Sequence, residues 1–505
     1  MSIIRILSTT DLHGAIFPYG YANGRERNIG LGKISTMVRE LRDENTVVLD
    51  NGDTIEGSPL TFYHYLYEGD KECPMIGCVR EIGYDYINLG NHDFNYGYAE
   101  LKRYIDDCGA VCLTSNVLYK GEPLGKVYDI RELAGKKVAF FGIITHFVPN
   151  WEKEENIADM EFIDAFTAAR DTVRLIREKE NPDYIICLYH GGLERDPVTG
   201  ILGEKDTGEN QGYRMIQEIE GLDVLICGHQ HRYYCGMLNG VAYTEGGIEG
   251  DNLSCIEIDT ETGIITPKLL PATRKADEKL LEMVKPEEDR TQKWLDTPLG
   301  HTSMDMRITD DFECRYHKSQ LATFINKVQL ELTGADLSGS AIFFKAPGFA
   351  GGITMRDLIS TYMFPNTLSV KKINGRVLRE YLEKCLDFWS MEAGKVIINP
   401  LYDFPNIQYH NYDMIDGVEY EADIRKPSGS RLVSLTRNGK EVKDDDEFTL
   451  VINNYRASGG GNFEMISDSP TVRDIPDSVV DILAEYIIKH GEIDFEPVNN
   501  IVIKP

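Results

Sequence analysis

Six short apolar runs punctuate the first half of the chain, and each stops abruptly in polar sequence, usually with glycine: IIRILSTTDLHG, TVVLDNGD, DYINLGNHD, VAFFGIITH, DYIICLYHGG and DVLICGHQH. Runs of this length, rich in β-branched residues, predict short buried strands. Between them the apolar spacing predicts helices over Lys33–Asp43, Tyr98–Asp107 and Ile163–Lys179. Buried strands alternating with helices predict a layered α/β domain. In such sheets functional side chains collect in the loops beyond the carboxyl ends of the strands.

Near Ala276 the pattern changes to ADEKLLEMVKPEEDRTQKWL, a charged amphipathic stretch that predicts a connecting helix interrupted at Pro286. From about Leu299 a second unit begins, with predicted helices over 318–333 and 375–389 and predicted strands at LSVKKI and FTLVIN. The expected organisation is therefore a domain over 1–275, a linker helix over 276–298 and a second domain over 299–505. The acidic patch KDDDE at 443–447 reads as a solvated turn.

A chain of 505 residues exceeds what one core organises, and 42% hydrophobic residues suffice for two. The net charge of -29 argues against nucleic-acid polymers and anionic membranes as partners, because both repel it. It would repel a phosphate substrate as well, unless bound divalent ions reverse the field locally. The opening MSIIRILSTTDLHG lacks the form of a signal peptide, and no stretch approaches the roughly 20 apolar residues of a membrane span. A cytoplasmic location is the expectation. Ten cysteines are scattered without paired zinc spacing, and Cys187 and Cys227 sit inside apolar runs as expected reduced core residues.

The ends of the apolar runs carry DLH at 11–13, GD at 52–53, GNHD at 90–93, His190 and GHQH at 228–231. Five of the chain's eleven histidines fall in this set, interleaved with Asp11, Asp53 and Asn91. Imidazole nitrogen, carboxylate oxygen and amide oxygen are ligands that a pair of divalent ions such as Mn, Zn, Fe or Co accepts. His92, next to Asn91, is placed to handle the proton of a leaving group, with Asp93 orienting its ring. By contrast, GLGK at 30–33 lacks phosphate-loop spacing, and His64 and His146 fall outside the ordered set. These read as structural.

In that order the motifs DxH, GD, GNHD, H and GHxH resemble the calcineurin-like metallophosphoesterase superfamily over the whole first half. The resemblance implies an α+β/α/β fold, with a four-layer β-sandwich flanked by helices and then a smaller mixed α/β substrate-binding domain. It implies one ion held by Asp11, His13, Asp53 and His231 and another by Asp53, Asn91, His190 and His229, with Asp53 as the bridge. It also implies the His92–Asp93 dyad.

The second half resembles the C-terminal domain of the 5'-nucleotidase family at TYMFPNTLSVKKINGRVLREYLE (361–383), DMIDGVEYEADIRKP (413–427) and VINNYRASGGGNF (451–463). Members clamp a nucleobase between two aromatic rings. Phe364 and Tyr455 hold those positions here, with Asn366, Asn454, Gly459 and Gly460 nearby. The segment SAIFFKAPGFAGGITMRDL has GGI without the arginine usual in 5'-nucleotidases, and is similar to the 2',3'-cyclic-nucleotide 2'-phosphodiesterase/3'-nucleotidase branch. The resemblance thus implies dimetal hydrolysis of cyclic and 3' nucleotides in an interdomain cleft. The alternatives are a 5'-nucleotidase, a UDP-sugar or dinucleotide hydrolase, and a nucleotide-binding sensor without catalysis. The complete ligand set and the His92–Asp93 pair argue against the sensor.

Overall fold

The computed structural model describes residues 2–150, 152, 154–202, 208–362, 366–402 and 407–504. It divides into two compact units, one ending at Gln292 and one beginning at Lys293.

The first unit starts with β1 (Ile3–Thr9), α1 (Leu31–Leu41), β2 (Thr46–Asn51), α2 (Pro59–Tyr67), α3 (Pro74–Ile82), β3 (Tyr86–Asn88), α4 (Gly97–Asp107) and β4 (Val111–Cys112). A small sheet of β5 (Val117–Tyr119), β6 (Glu122–Pro123) and the later β9 (Met160–Phe162) follows. Around β9 come β7 (Asp129–Leu133), β8 (Lys136–Ile144), α5 (Ala165–Lys179), β10 (Tyr184–His190), α6 (Gly212–Glu218) and β11 (Val224–Cys227). The unit closes with β12 (Tyr233–Leu238), β13 (Val241–Gly246), β14 (Asn252–Asp259), β15 (Ile265–Pro271) and α7 (Glu278–Leu295), whose last residues, from Lys293, fall in the second unit.

These strands form two six-stranded sheets, ordered β15-β14-β1-β2-β3-β4 and β12-β13-β11-β10-β8-β7. Alternation along each strand explains the layering, since successive side chains of a strand point to opposite faces. Ile4 and Ile6 of β1, Val47 and Leu49 of β2, Val138 and Phe140 of β8, Ile186 and Leu188 of β10, and Val224 and Ile226 of β11 share one core between the sheets. The intervening Leu7 and Val48 turn outward under α1, α3 and α4. Likewise Phe141, Ile185, Cys187, Leu225 and Cys227 turn outward under α5 and α6. The strands are apolar on both faces because both faces are covered. The result is the four-layer sandwich that the resemblance implies. All ten cysteines are free, with Cys187 and Cys227 buried as expected.

Two expectations change. The helix α7 runs through Pro286 without a break. It is also no free linker over 276–298, because it is anchored to the first unit. Tyr19 and Tyr21 donate to Glu288 at 2.6 and 2.8 Å, His64 Nδ1 lies 2.7 Å from Glu287 Oε1, and Arg290 Nη2 donates to Glu68 at 2.7 Å. His64 is thereby structural. Lys33 of GLGK is buried with its Nζ on Glu26 and Asn28, so it serves a loop and not a phosphate.

The second unit centres on a five-stranded sheet with strands 414–416, 337–340, 447–453, 368–374 and 471–475 in spatial order. Helices Gln320–Thr333 and Gly375–Leu386 are close to the expected positions. Two buried ion pairs fix this unit: Lys318 with Asp416, and Arg456 with Asp413. No helix among the described residues is long and apolar enough to cross a membrane.

Leu188, fully buried between the sheets, tests the layering. Leu188→Ala is expected to cost about 2–5 kcal/mol in urea unfolding. Val198→Ala, at a side chain 87% exposed, is expected to stay within about 0.5 kcal/mol.

Candidate metal centre

The parallel neighbours β1, β2 and β3 in one sheet and β10 and β11 in the other end at the same edge of the sandwich. Asp11 and His13 follow β1, Asp53 follows β2, Asn91 follows β3, His190 is the last residue of β10, and His229 and His231 follow β11. The ligand atoms of Asp11, His13 and His231 gather within 4.8 Å of one another, and so do those of Asp53, His190 and His229. Asn91 joins the second triad, its Oδ1 lying 2.8 Å from His229 Nδ1.

Buried amides hold the two sheets together at this edge. Asn51 Nδ2 donates to the carbonyls of Tyr189 and Ile226 at 3.1 and 3.2 Å, reaching from β2 to β10 and β11. Asn88 Nδ2 donates to Asn51 Oδ1 at 3.1 Å and to the Ile143 carbonyl at 2.8 Å. Asp11 completes the seam by accepting the His229 backbone N–H at 3.0 Å.

Five of the ligand residues occupy the left-handed backbone region: Asp11 (φ 52°), His13 (φ 45°), Asp53 (φ 55°), His229 (φ 73°) and His231 (φ 56°). Such a conformation costs on the order of 1–3 kcal/mol per non-glycine residue, so the surroundings must over-determine it. Backbone hydrogen bonds do so, from Asp11 N–H to the Gly52 carbonyl and from His13 N–H to the Asp53 carbonyl, at 2.9 and 2.8 Å. Gly52 and Gly90 permit the approach: a Cβ on Gly52 would meet Gly90 N at 2.3 Å, and one on Gly90 would meet Asp53 Oδ1 at 2.2 Å.

The donor set fits divalent ions. Imidazole nitrogens bound to one ion at about 2.1 Å each lie roughly 3 Å apart. His13 Nε2 and His231 Nε2 are separated by 3.2 Å. His190 Nε2 is buried without a hydrogen-bond partner and faces Asp53 Oδ2 at 3.1 Å. The same oxygen is 3.8 Å from His13 Nε2, so it faces both triads, while Asp53 Oδ1 accepts the His92 N–H at 2.7 Å. The other ring nitrogens are held as metal-binding histidines require. His190 Nδ1 donates to the Asn51 carbonyl at 2.6 Å, and His229 Nε2 lies 2.8 Å from Glu209 Oε1.

The cluster's electrostatics are reciprocal. Burial disfavours charge on His190 and His13, yet Asp53 raises His190 to about 10, and Glu56 with Asp53 raises His13 to about 9. Burial also opposes charge on Asp53, but His190 and His92 hold it well below the usual carboxylate range. Metal ions entering such a site displace protons from the imidazoles. Asp50, three residues before Asp53, is buried without a cation and is raised to about 7 by desolvation.

The orienting role expected of Asp93 is not the one observed. Its carboxylate accepts four backbone N–H groups, from Asp53 (3.0 Å), Thr54 (2.9 Å), Ile55 (3.1 Å) and Gly90 (2.8 Å), and so knots the β2 and β3 loops together. The His92 ring is met by Asn95 Oδ1, 2.8 Å from Nδ1, and by Glu56 Oε2 at 3.3 Å. Sequence reasoning missed Asn51, Asn88, Glu56, Asn95 and Glu209. Asn51 and Asn88 left a legible trace as polar residues closing buried runs, whereas Glu209 lies in a loop with no pattern.

In the second unit, Tyr455 is 41% exposed on the short helix Asn454–Ala457. Asn366 Nδ2 donates to Asn454 Oδ1 at 3.1 Å, and Gly460 N–H to the Tyr455 carbonyl at 2.9 Å. Gly459, with φ 95°, begins the adjoining turn, and the His410 ring meets Tyr455 edge to face at 5.9 Å. Asn366, Asn454, Tyr455, Gly459 and Gly460 are thus neighbours. Phe364 lies outside the described residues.

Comparison with known proteins decides the family. Residues 4–233 match the calcineurin-like phosphoesterase model, and residues 298–468 match the 5'-nucleotidase C-terminal domain. The chain is a calcineurin-like phosphoesterase joined to a 5'-nucleotidase C-terminal domain. This phosphoesterase is 27% identical to the 2',3'-cyclic-nucleotide 2'-phosphodiesterase/3'-nucleotidase of Haemophilus influenzae, over 96% of its own chain and 84% of that protein. It is also 27% identical to the protein of that name from Salmonella typhimurium, over 99% and 89% of the two chains. Among solved structures, a Staphylococcus aureus chain assigned as a candidate 5'-nucleotidase, in complex with alpha-ketoglutarate, matches it with a TM-score of 0.78. The two are 29% identical, and the match covers 100% of both chains.

Titration calorimetry with Mn²⁺ checks the ligand set of this phosphoesterase. Asp53→Asn is expected to weaken both binding events, and His231→Ala and His229→Ala one each. Mn²⁺ at about 100 times its Kd should stabilise the wild type by about 2.7 kcal/mol for each site it fills. Two full-affinity sites surviving in Asp53→Asn would contradict the shared carboxylate.

Proposed function

We propose that the chain hydrolyses 2',3'-cyclic nucleotides and 3'-nucleotides, with Asp53 bridging two divalent ions and Tyr455 stacking on the base. The observation that carries this reading is the pair of ligand triads, with Asp53 Oδ2 of one facing His190 Nε2 at 3.1 Å and His13 Nε2 of the other at 3.8 Å. The relatives named for that double activity support the substrate class.

Asp11, His13, Asp53 and His231 would hold one ion, and Asp53, Asn91, His190 and His229 the other. Ions bound there would acidify a water and neutralise the phosphoryl oxygens. Mn, Zn, Fe and Co all suit the donors. The protein's own share is positional. The seam at Asn51 and Asn88 fixes the ligands, and the His92 ring stands beside them to give the leaving oxygen its proton. Tyr455 offers an exposed π-face, and stacking of this kind contributes about 1–3 kcal/mol per base.

The second reading, a 5'-nucleotidase, is favoured by the Staphylococcus aureus structure. The Mn²⁺-loaded protein incubated with 2',3'-cyclic AMP, 3'-AMP, 5'-AMP and bis-p-nitrophenyl phosphate separates the two. Turnover of the cyclic and 3' compounds is expected, and a preference for 5'-AMP would replace the first reading with the second. Silence with every metal would make the chain a nucleotide sensor.

The base subsite has its own test. Tyr455→Ala should raise KM for nucleotides about tenfold or more, in line with the loss of one stacking contact, and barely alter p-nitrophenyl ester hydrolysis. Equal damage to both substrates would mark Tyr455 as structural.

A further inference from the structure

We propose that Glu56 is a positioning residue for the leaving group: with Asn95 it clamps the His92 imidazole, so that Nδ1 carries hydrogen and Nε2 is left to protonate the departing oxygen. The inference rests on the reading that His92 serves the leaving group.

His92 opens a short 3-10 turn, His92–Phe94, and its backbone N–H is pinned at 2.7 Å to Asp53 Oδ1. The start of the side chain is therefore fixed relative to the metal ligands, and only the ring orientation remains to be set. Asn95 Oδ1 meets Nδ1 at 2.8 Å. The Asn95 amide cannot turn round, because its Nδ2 donates at 2.9 Å to Glu152 Oε2, and a carboxylate only accepts. Asn156 secures the assembly by donating to both Glu152 Oε1 and the Asn95 carbonyl at 2.8 Å.

Glu56 Oε2 stands 3.3 Å from the same Nδ1. The loop that carries it is tied down one residue earlier, where Ile55 N–H donates to Asp93. Both oxygens facing Nδ1 are acceptors, so Nδ1 must donate. A flip of the ring about Cβ–Cγ would put a carbon against both oxygens, losing the hydrogen bond to Asn95 and the electrostatic contact with Glu56 together. Glu56 Oε2 is also 3.9 Å from Nδ1 of the ligand His13, so one oxygen stands between two imidazoles.

The step balances simply. Water oxygen bonds to phosphorus as the bond between phosphorus and the sugar oxygen breaks. His92 Nε2 gives its proton to that oxygen, and the water's surplus proton restores it.

The experiment compares Glu56→Ala, Glu56→Gln and His92→Ala on two esters. One is the nucleotide that the wild type hydrolyses, and the other is a p-nitrophenyl ester whose phenolate leaves without a proton. Glu56→Ala is expected to lower kcat on the nucleotide about 10–100-fold, within the range that proton transfer contributes. KM and bound Mn²⁺ should hold, and the p-nitrophenyl ester should suffer far less. Glu56→Gln, which keeps an acceptor oxygen, should recover most of the rate. In ¹⁵N-edited spectra of the metal-free protein, the His92 Nδ1–H should exchange with solvent faster in Glu56→Ala. Equal losses on both esters, or loss of bound metal, would mean that Glu56 merely props His13 and would overturn the proposal. If His92→Ala spares neither ester, the underlying reading fails and the proposal with it. If His92→Ala is selective and Glu56→Ala is not, only the present proposal fails.

Discussion

The seam between the two sheets is the constraint on which everything else in the first unit depends. Ligands for two ions must come from strands that belong to different sheets, and nothing in sheet hydrogen bonding fixes one sheet against another. The apolar core between them sets a spacing but tolerates sliding. Asn51 removes that freedom at the one edge where it matters, since its amide satisfies carbonyls of β10 and β11 while its backbone carbonyl holds the His190 ring. A buried amide with its hydrogen bonds made costs little, and one pulled out of register costs a few kcal/mol. The register of the sandwich and the geometry of the site are thereby one property.

Asp93 plays the matching part within a single sheet. Burial and the nearby Asp53 carboxylate push it above the usual carboxylate range, and four converging N–H groups offset part of that cost. They also bind the loops after β2 and β3 into one body, which supports the left-handed backbone at Asp53.

Much of this was legible in the sequence, for physical reasons. The ligand positions could be read because each follows an apolar run, and a run buried on both faces leaves a strong signal. The helices near 33–43, 98–107 and 163–179 could be read because one-sided burial imposes a 3.6-residue period. The partner of His92 could not be read, because adjacency in sequence suggested Asp93 whereas the short 3-10 turn presents residue 95 to the ring. Glu56 and Glu209 depend on how loops fold back, which no local pattern encodes. The anchoring of α7 was hidden too: its charged residues look solvated in sequence, yet Glu287 and Glu288 meet His64 and two tyrosines.

Gly52 and Gly90 carry a consequence for the protein's history. A Cβ on Gly52 would strike the backbone of Leu89 and Gly90, and one on Gly90 would strike the backbone and carboxylate of Asp53, so neither position admits a side chain. Single-step mutation therefore has no passage through this pair. Sequence drift can reshape the surrounding loops and thus the choice of ester, but it must do so around two fixed points.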